Sequence, residues 1–481
     1  MKKRRIAVLG GGMGGLSAAL HLALDGHEVT LFEQRDRVGG KAAEISEGDY
    51  LLDPGPSIII LKEIYEKVLA RAGAPDLLRF RRLDPWSRIL QEGRDHPIDL
   101  PADQNACLET LGRAEPDDYA GLQQLFQAIS KAAPALDDTV FARPIEKPWQ
   151  LLSPGLVRFA LNFNPRLTYR ELVDRHLKSD LLRSFFYGFP SYSGQSFESK
   201  APGALVIPYL MASKGVYFPE GGVRAIPAAF KLVAERIGVR FELGYRVTGL
   251  RPAGRRLVAA KTEAGDEIEA DVFVSGIDRL TTEGLLGRGV DAKPSYSYFT
   301  LHLGLPRLLP DVLHHTLLVP RGASSGFSRL YGQYEPPRPA VVYLNNSTSL
   351  DPAAAPEGKT NLFVVLTVPA MHDHLDWDVL GQQLRDEAHQ SLAKFGIDAS
   401  DAEFERVQDP RTFEQRDGSY LGSLYGPDEK ERLWGGLFPL SNRDAEFENL
   451  FYCGGSVQPG AGLPMATLSG KFVADIIARQ R

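Results

Sequence analysis

Thiols are nearly missing from this chain. Cys107 and Cys453 are the only cysteines in 481 residues, too few for a disulfide framework, so a reducing compartment fits. Long apolar runs are missing too. The uncharged stretch 201–212 is broken by Pro202 and Pro208 and is too short to cross a bilayer. No basic tract offsets the net charge of −6, which excludes a general nucleic-acid binder. Clustered histidines are limited to His314-His315 and His372-x-His374; without cysteines or a third ligand they make no metal site, and all four are expected at the surface. Internal repeats and the GxSxG, HExxH, Walker A and kinase signatures are absent. What remains, 43% hydrophobic and 24% charged, is an ordinary globular composition long enough for two or three domains.

Glycine, by contrast, is abundant and concentrated at two places. Residues 6–9 (IAVL) suit a buried parallel strand. Gly10-x-Gly12-x-x-Gly15 follows at once, and the small and apolar residues 16–24 predict a helix ending near Gly26. Residues 28–32 predict a second strand with Glu33 at its end. Gly10 permits the tight turn, Gly12 lets the backbone approach a diphosphate, and Gly15 lets the helix pack on the strand; Gly14 lies in the same turn. The helix start supplies free N–H groups and a positive dipole end. Glu33 falls 18 residues past Gly15, where an acidic side chain takes ribose hydroxyls. Arg37-Val38-Gly39-Gly40-Lys41 extends the glycine pattern and favours FAD over NAD; Lys41 either meets phosphate or is solvated. Asp53-Pro54-Gly55-Pro56-Ser57 adds a rigid turn. Lys2-Lys3-Arg4-Arg5 mimics a secretion leader, but the five glycines between Gly10 and Gly15 fit the fingerprint better, and the basic run reads as a solvated lead-in.

The middle of the chain is less distinctive. Residues 58–73 predict a helix with Ile60, Ile64, Val68 and Leu69 on one face, and 103–135 is mainly helical. Pro144, Pro148, Pro154 and Pro165 break up 141–167, where Trp149, Phe159 and Phe163 mix with Arg158 and Arg166; this suits either a patch in a membrane interface or a helical pair packed on the core. The 201–212 run either lines an apolar tunnel or fills the core. Residues 226–237 predict a helix. Short strands at 239–242, 245–250, 257–262, 267–269 and 271–275 read as one meander returning the chain to a nucleotide-binding domain, with Val247 placed to offer its backbone to an adenine. Strands at 295–305 and 361–369, beside an amphipathic helix at 377–395, form a second sheet. His302, within the first of these, either faces a substrate or sits satisfied in the core.

The second glycine-rich site lies at the C-terminus. Residues 449–453 predict a strand, and 454–464 (GGSVQPGAGLP) form a loop that opens on a helix from Pro464 through Met465 to Arg479. A nicotinamide enzyme usually needs only the first glycine site. A flavoprotein that folds its C-terminus back onto the isoalloxazine needs both. N–H groups at this helix start would stabilise negative charge on reduced flavin without a charged side chain. Gly454, Gly455, Gly462, Pro464 and Met465 are the candidates here. Cys453 reads as a small buried residue rather than a redox thiol.

Taken in order, Gly10 to Gly15, Glu33, Arg37 to Lys41, Asp53 to Ser57, Tyr217 to Arg224, Ser275 to Asp278 and Gly454 to Gly470 resemble the carotenoid desaturase family, the bacterial phytoene desaturase-like flavoenzymes. The terminal motif departs from the family at Gln458, which stands where His usually precedes Pro459. Gly455-Ser456 with Met465 is more similar to the branch acting on hydroxylated or methoxylated acyclic carotenoids. The resemblance implies an α/β fold: a FAD-binding Rossmann-like domain of the glutathione-reductase and amine-oxidase type, a discontinuous substrate domain and a helical membrane-facing region. The expected parts are 1–95, 215–290 and 430–481 for FAD, 96–214 for the helical lid, and 291–429 for the substrate. It implies conversion of CH2–CH2 to CH=CH in an acyclic carotenoid, with oxygen or a quinone as electron acceptor, at the cytoplasmic side of the inner membrane. No general base is nominated. A carotenoid isomerase or ketolase, a flavin amine oxidase, and a prenyl-binding escort protein without redox chemistry share the architecture.

Overall fold

The computed structural model describes residues 2–480 except 138, 153, 156, 158–165, 201 and 429–438. A five-stranded parallel sheet has the spatial order Leu450–Tyr452, Val272–Ser275, Arg5–Leu9, Glu28–Glu33, Arg240–Leu243. Side chains alternate between the faces of a strand. Ile6 and Val8 accordingly join a core with the helices Met13–Leu24, Ala225–Arg236 and Leu463–Arg479. Ala7 and Leu9 join a second core under a three-stranded antiparallel layer, Val247–Ala253, Arg256–Thr262 and Glu267–Glu269. Burial of both faces explains why the strands are continuously apolar at 6–9 and 272–274.

The expected single meander is divided. Arg240–Leu243 pairs in parallel with Glu28–Glu33, because the helix Ala225–Arg236 packs on the sheet and returns the chain to its edge. Only the three following strands form the antiparallel layer. The expected helix at 58–73 is also shorter, Glu63–Arg71. Ile59 bridges to Tyr217 and Leu61 has φ of 54°, so the preceding residues are drawn away from helix by a tertiary contact.

A seven-stranded sheet has the order Phe404–Gln408, Tyr296–Leu305, Thr360–Pro369, Val342–Asn346, His315–Val319, Ser87–Gln91, Ile98–Leu100. Ser87–Gln91 comes from the N-terminal segment and pairs in parallel with His315–Val319; the other pairings are antiparallel. On one face Phe299, Leu301, Leu303, Val364 and Leu366 pack against the helix Trp377–Lys394. A third core gathers helices of 104–214 with Ala323–Gln333, rich in edge-to-face rings such as Phe185 on Phe186 and Phe189.

His314 and His315, expected at the surface, are buried. Their segment enters the interior of the seven-stranded sheet, between Val342–Asn346 and Ser87–Gln91. There His314 Nδ1 meets the Asn346 carbonyl at 3.1 Å, and burial lowers its pKa to about 4. His374 is exposed and His372 half-buried. No helix among the described residues is long and apolar enough to cross a membrane.

Candidate functional site

The first strand ends at the fingerprint turn. Gly10 donates its N–H to the Phe32 carbonyl at 2.8 Å and has φ of 101°, a conformation glycine adopts readily. A Cβ on Gly15 would lie 2.0 Å from the Gly10 oxygen, so helix and strand touch through that missing side chain. Gly12 differs. Its backbone is extended, and a Cβ there would meet only the Gly40 Cα, at 4.0 Å. The Arg37–Lys41 loop docks on the same turn: Gly39 donates to the Gly11 carbonyl at 2.8 Å. Glu33 is buried, its Oε2 accepting from the Gly11 N–H at 2.6 Å and its Oε1 from the Arg35 N–H at 3.0 Å. Each oxygen retains a lone pair for a further donor.

The C-terminal strand Leu450–Tyr452 brings the second glycine loop to the first. Cys453 donates to the Ser275 carbonyl at 2.8 Å, and a Cβ on Gly14 would sit 2.6 Å from the Gly454 nitrogen. The helices following the two loops lie against each other. Ser17 Oγ donates to the Thr467 carbonyl at 2.7 Å, and a Cβ on Gly470 would be 2.5 Å from the Ala18 nitrogen and the Gly14 oxygen. Gly462, with φ of 101°, precedes the helix Leu463–Arg479, whose first turn contains Pro464. Gln458 clamps the backbone of Ile145, accepting its N–H at 2.7 Å and donating to its carbonyl at 2.9 Å.

Between these loops lies one continuous cavity of about 800 Å³. Gly10, Gly12 and Gly14, then Glu33, Gly39, Gly40 and Lys41, and also Val247, line it. So do Gly454, Gly455, Gly462, Pro464 and Met465. Of the sequence-predicted site residues only Gly15 does not; its place is the helix–strand contact. Lys41 sits among charges: burial lowers its pKa, while Asp417 and Asp278 raise it. Asp278 also lines the cavity and caps the helix Arg279–Leu285, and burial raises its pKa.

The cavity then runs between the second face of the seven-stranded sheet and the helical region. Tyr298, Thr300, Tyr343, Phe363 and Val365 form the sheet wall. Val206, Ile207, Leu210 and Met211, from the uncharged run, form part of the other, so that run both lines the cavity and fills the core. These tyrosines and the end of the helix Pro410–Asp417 with its cap Gly418 went unmarked in the sequence. Arg416 reaches the site through a Gln34 amide that donates to its carbonyl at 2.8 Å, a contact across 382 positions that no local motif announces. Strand alternation at 296–305 was the one available signal, since it places Tyr298, Thr300 and His302 on a common face. His302 is fully buried, stacked on Phe363, with neither ring nitrogen partnered by a described protein atom.

Asp53 holds the Asp53–Ser57 turn in place. Its carboxylate accepts the N–H groups of Val223 and Arg224 at 3.0 and 3.1 Å. Arg224 in turn pairs with Asp351 at 2.6 Å and Glu44 at 3.1 Å. Gly55 and Ser57 thereby reach the cavity wall.

The model of the family "flavin containing amine oxidoreductase" matches residues 13–478. A zeta-carotene-forming phytoene desaturase of Myxococcus xanthus is 30% identical over 489 residues, covering 98% of this chain and 93% of that protein. A 4,4'-diapolycopene oxygenase of Methylomonas sp is 29% identical, covering 98% of each. The crystal structure of an oxidoreductase from Methanosarcina mazei superposes with a TM-score of 0.66 at 16% identity, over 98% of this chain and 100% of that one, which shows the shared fold. A dinucleotide fits the geometry: the missing Cβ of Gly12 leaves the helix start open to the cavity, and Glu33 keeps acceptor capacity there. The chain thus belongs to the flavin containing amine oxidoreductase family and is an FAD-dependent oxidoreductase of the carotenoid desaturase and oxygenase group.

Proposed function

We propose that the protein desaturates an acyclic carotenoid. The observation that carries this reading is that the paired glycine loops and a largely apolar chamber form one cavity, in a chain 30% identical to a phytoene desaturase. Gly10, Gly12, Gly14 and the start of the helix Met13–Leu24 hold the diphosphate. Glu33 accepts from the ribose, Gly39, Gly40 and Lys41 flank the phosphates, and the Val247 backbone meets the adenine. Gly455 and the helix start at Gly462 and Met465 present N–H groups to the flavin ring, while Gly454, whose N–H is taken by Ser469 Oγ at 3.1 Å, and Pro464 shape the wall beside it. When bound, FAD supplies a two-electron acceptor.

The chain's own residues orient a polyene and exclude water. Ile58, Ile60, Leu210 and Val365 offer a dry wall to the chain. In the overall step, an allylic hydrogen leaves with its electron pair to the two-electron acceptor, the adjacent carbon releases a proton to solvent water, and CH2–CH2 becomes CH=CH. The two electrons pass on to oxygen or a membrane quinone. The parts proposed to perform this are a FAD-binding region of 1–95, 215–290 and 430–481, a helical lid of 96–214, and a substrate region of 291–429 whose sheet also takes in Ser87–Gln91 and Ile98–Leu100 from the first two. The lid meets the cytoplasmic face of the inner membrane through Trp149 and Leu152, 62% and 74% exposed, with the Lys147 ammonium 4.8 Å above the Trp149 ring. Phe159 and Phe163, also expected in that patch, lie outside the described residues.

The test is an anaerobic visible spectrum of the flavin-loaded protein before and after acyclic carotenes are added in liposomes. Flavin bleaching with a red shift of the polyene supports desaturation. Flavin that stays oxidised with every carotene defeats it. A product heavier by oxygen under air would favour the second reading, an oxygenase, which the identity to the Methylomonas enzyme supports.

A further inference from the structure

The lid is fastened to the C-terminal glycine loop at a buried point. Gln458 is 3% exposed and does not line the cavity, yet Pro459, Gly460 and Ala461 directly after it do. Its backbone is pinned beside that loop: the N–H donates to the Leu440 carbonyl at 3.0 Å, and the carbonyl accepts from Asn442 Nδ2 at 2.9 Å. Its side chain holds the lid. Oε1 and Nε2 meet the N–H and the carbonyl of Ile145, as the backbone of a neighbouring strand would. A side-chain amide offers an acceptor and a donor side by side; the ring nitrogens of a histidine point apart and could make one of the two bonds. Arg443 adds a partly exposed ion pair to Glu146 at 2.7 Å. Ile145 lies midway between two features. Before it, Val140 and Phe141 line the cavity, and Phe141 packs with Met465 against Leu61, Val206 and Leu210. After it, Gln150 Oε1 accepts the N–H groups of Glu146 and Lys147, each at 2.8 Å, in the turn that carries the exposed Trp149 and Leu152.

We propose that Gln458 is a latch: it holds residues 139–152 as a strap over the cavity in solution, and releases them when a lipid surface takes up Trp149 and Leu152. Those two side chains gain by leaving water, and the turn that carries them pulls on Ile145. The two hydrogen bonds of the latch exchange for bonds to water at little net cost. Release of Ile145 frees Val140 and Phe141 from the wall, which opens a path from bilayer to cavity. Gln458 is thus a positioning residue that touches neither substrate nor cofactor. This rests on the membrane reading of Trp149 and Leu152 above, and adds what docking does to the site.

The experiment uses flavin-loaded protein with and without vesicles of phosphatidylcholine and phosphatidylglycerol. Hydrogen exchange of the peptide 142–147 reports the Ile145 amide. Anaerobic reduction of the flavin by dithionite, without vesicles, reports whether the cavity is shut to water. Vesicles are expected to speed Ile145 exchange in the parent protein about tenfold. Gln458→Met should exchange about tenfold faster and reduce about threefold faster than the parent with no vesicles present, and vesicles should then change its exchange by less than about twofold. Gln458→His, which can restore one bond, should fall between the two. A merely local tie would change Ile145 exchange in the variants but neither the dithionite rate nor the vesicle response, and that result overturns the latch. So does a parent protein that cosediments with the vesicles and keeps its Ile145 protection. If Gln458→Met does not fold, Arg443→Gln, which removes the partly exposed ion pair, is read instead: reduction about twofold faster supports the latch, and an unchanged rate overturns it. A parent protein that does not cosediment refutes the membrane reading and the latch with it. No carotene enters these measurements, so bleaching by carotenes tests desaturation separately.

Discussion

Gly12→Val separates the cofactor role of the fingerprint from its folding role. Gly12 has φ of −68° and ψ of 175°, an extended conformation open to any residue. A Cβ there meets only the Gly40 Cα, at 4.0 Å, an ordinary contact. A side chain therefore points into the cavity and costs the fold little. Loss of glycine's unfolded-state freedom stabilises by about 0.4–1 kcal/mol in the Ala case. With FAD in the cavity the same methyl groups stand where the diphosphate approaches. Overpacking of this kind costs about 1–3 kcal/mol, which weakens FAD about 5- to 150-fold. The assay is paired. Flavin absorbance after desalting reports occupancy, and thermal unfolding with and without added FAD reports the fold and its ligand linkage. The expected variant loses flavin on desalting that the parent keeps, melts within a few degrees of the flavin-free parent protein, and gains about 1–3 kcal/mol less stability than the parent from the same saturating FAD. Full flavin occupancy in Gly12→Val would refute the proposed diphosphate site. A variant that fails to fold would refute the claim that this position is open.

Gly14→Ala should behave in the opposite way, destabilising the protein itself by about 1–3 kcal/mol, since its Cβ would lie 2.6 Å from the Gly454 nitrogen; urea denaturation of flavin-free protein checks this, and an unchanged midpoint contradicts it. Trp149→Ser combined with Leu152→Ser should release the protein from anionic liposomes, and undiminished cosedimentation rejects the proposed membrane patch. His302 is held neutral by burial, its pKa lowered to about 3. A histidine depressed in the folded state stabilises above its unfolded value of about 6.5, and that contribution is lost as pH falls toward 3. Stability of the parent protein should therefore fall between pH 6.5 and 5 more steeply than that of His302→Leu, by about 1.4 kcal/mol per pH unit; parallel curves from chemical denaturation would exclude it.

The sequence was most legible where the chain is obliged to be local. Gly10, Gly12 and Gly15 follow an apolar strand directly, so turn, helix start and second strand could be placed from spacing alone. The loop before Pro464 was legible for the same reason. Reading failed where neighbours decide the outcome. Arg240–Leu243 has the composition of its antiparallel successors, and only a free sheet edge beside Glu28–Glu33 made it parallel. Residues 58–62 carry a helical pattern, yet Ile59 is taken by Tyr217. His314 and His315 look solvent-bound from their residue type and become interior when strands close on both sides.

By itself, then, the sequence determined that a dinucleotide-type turn stands near one end and a second glycine loop near the other, because glycine spacing controls backbone shape within a few residues. Only the tertiary structure decided that the two loops touch, since Gly14 and Gly454 are 440 positions apart and meet through the order of a parallel sheet. It also decided the character of the cavity. Tyr298 and Tyr343 reach the cavity from two strands because alternation chose which side of each faces it, while Tyr192 and Ser57 are brought there from a helical turn and a loop by packing.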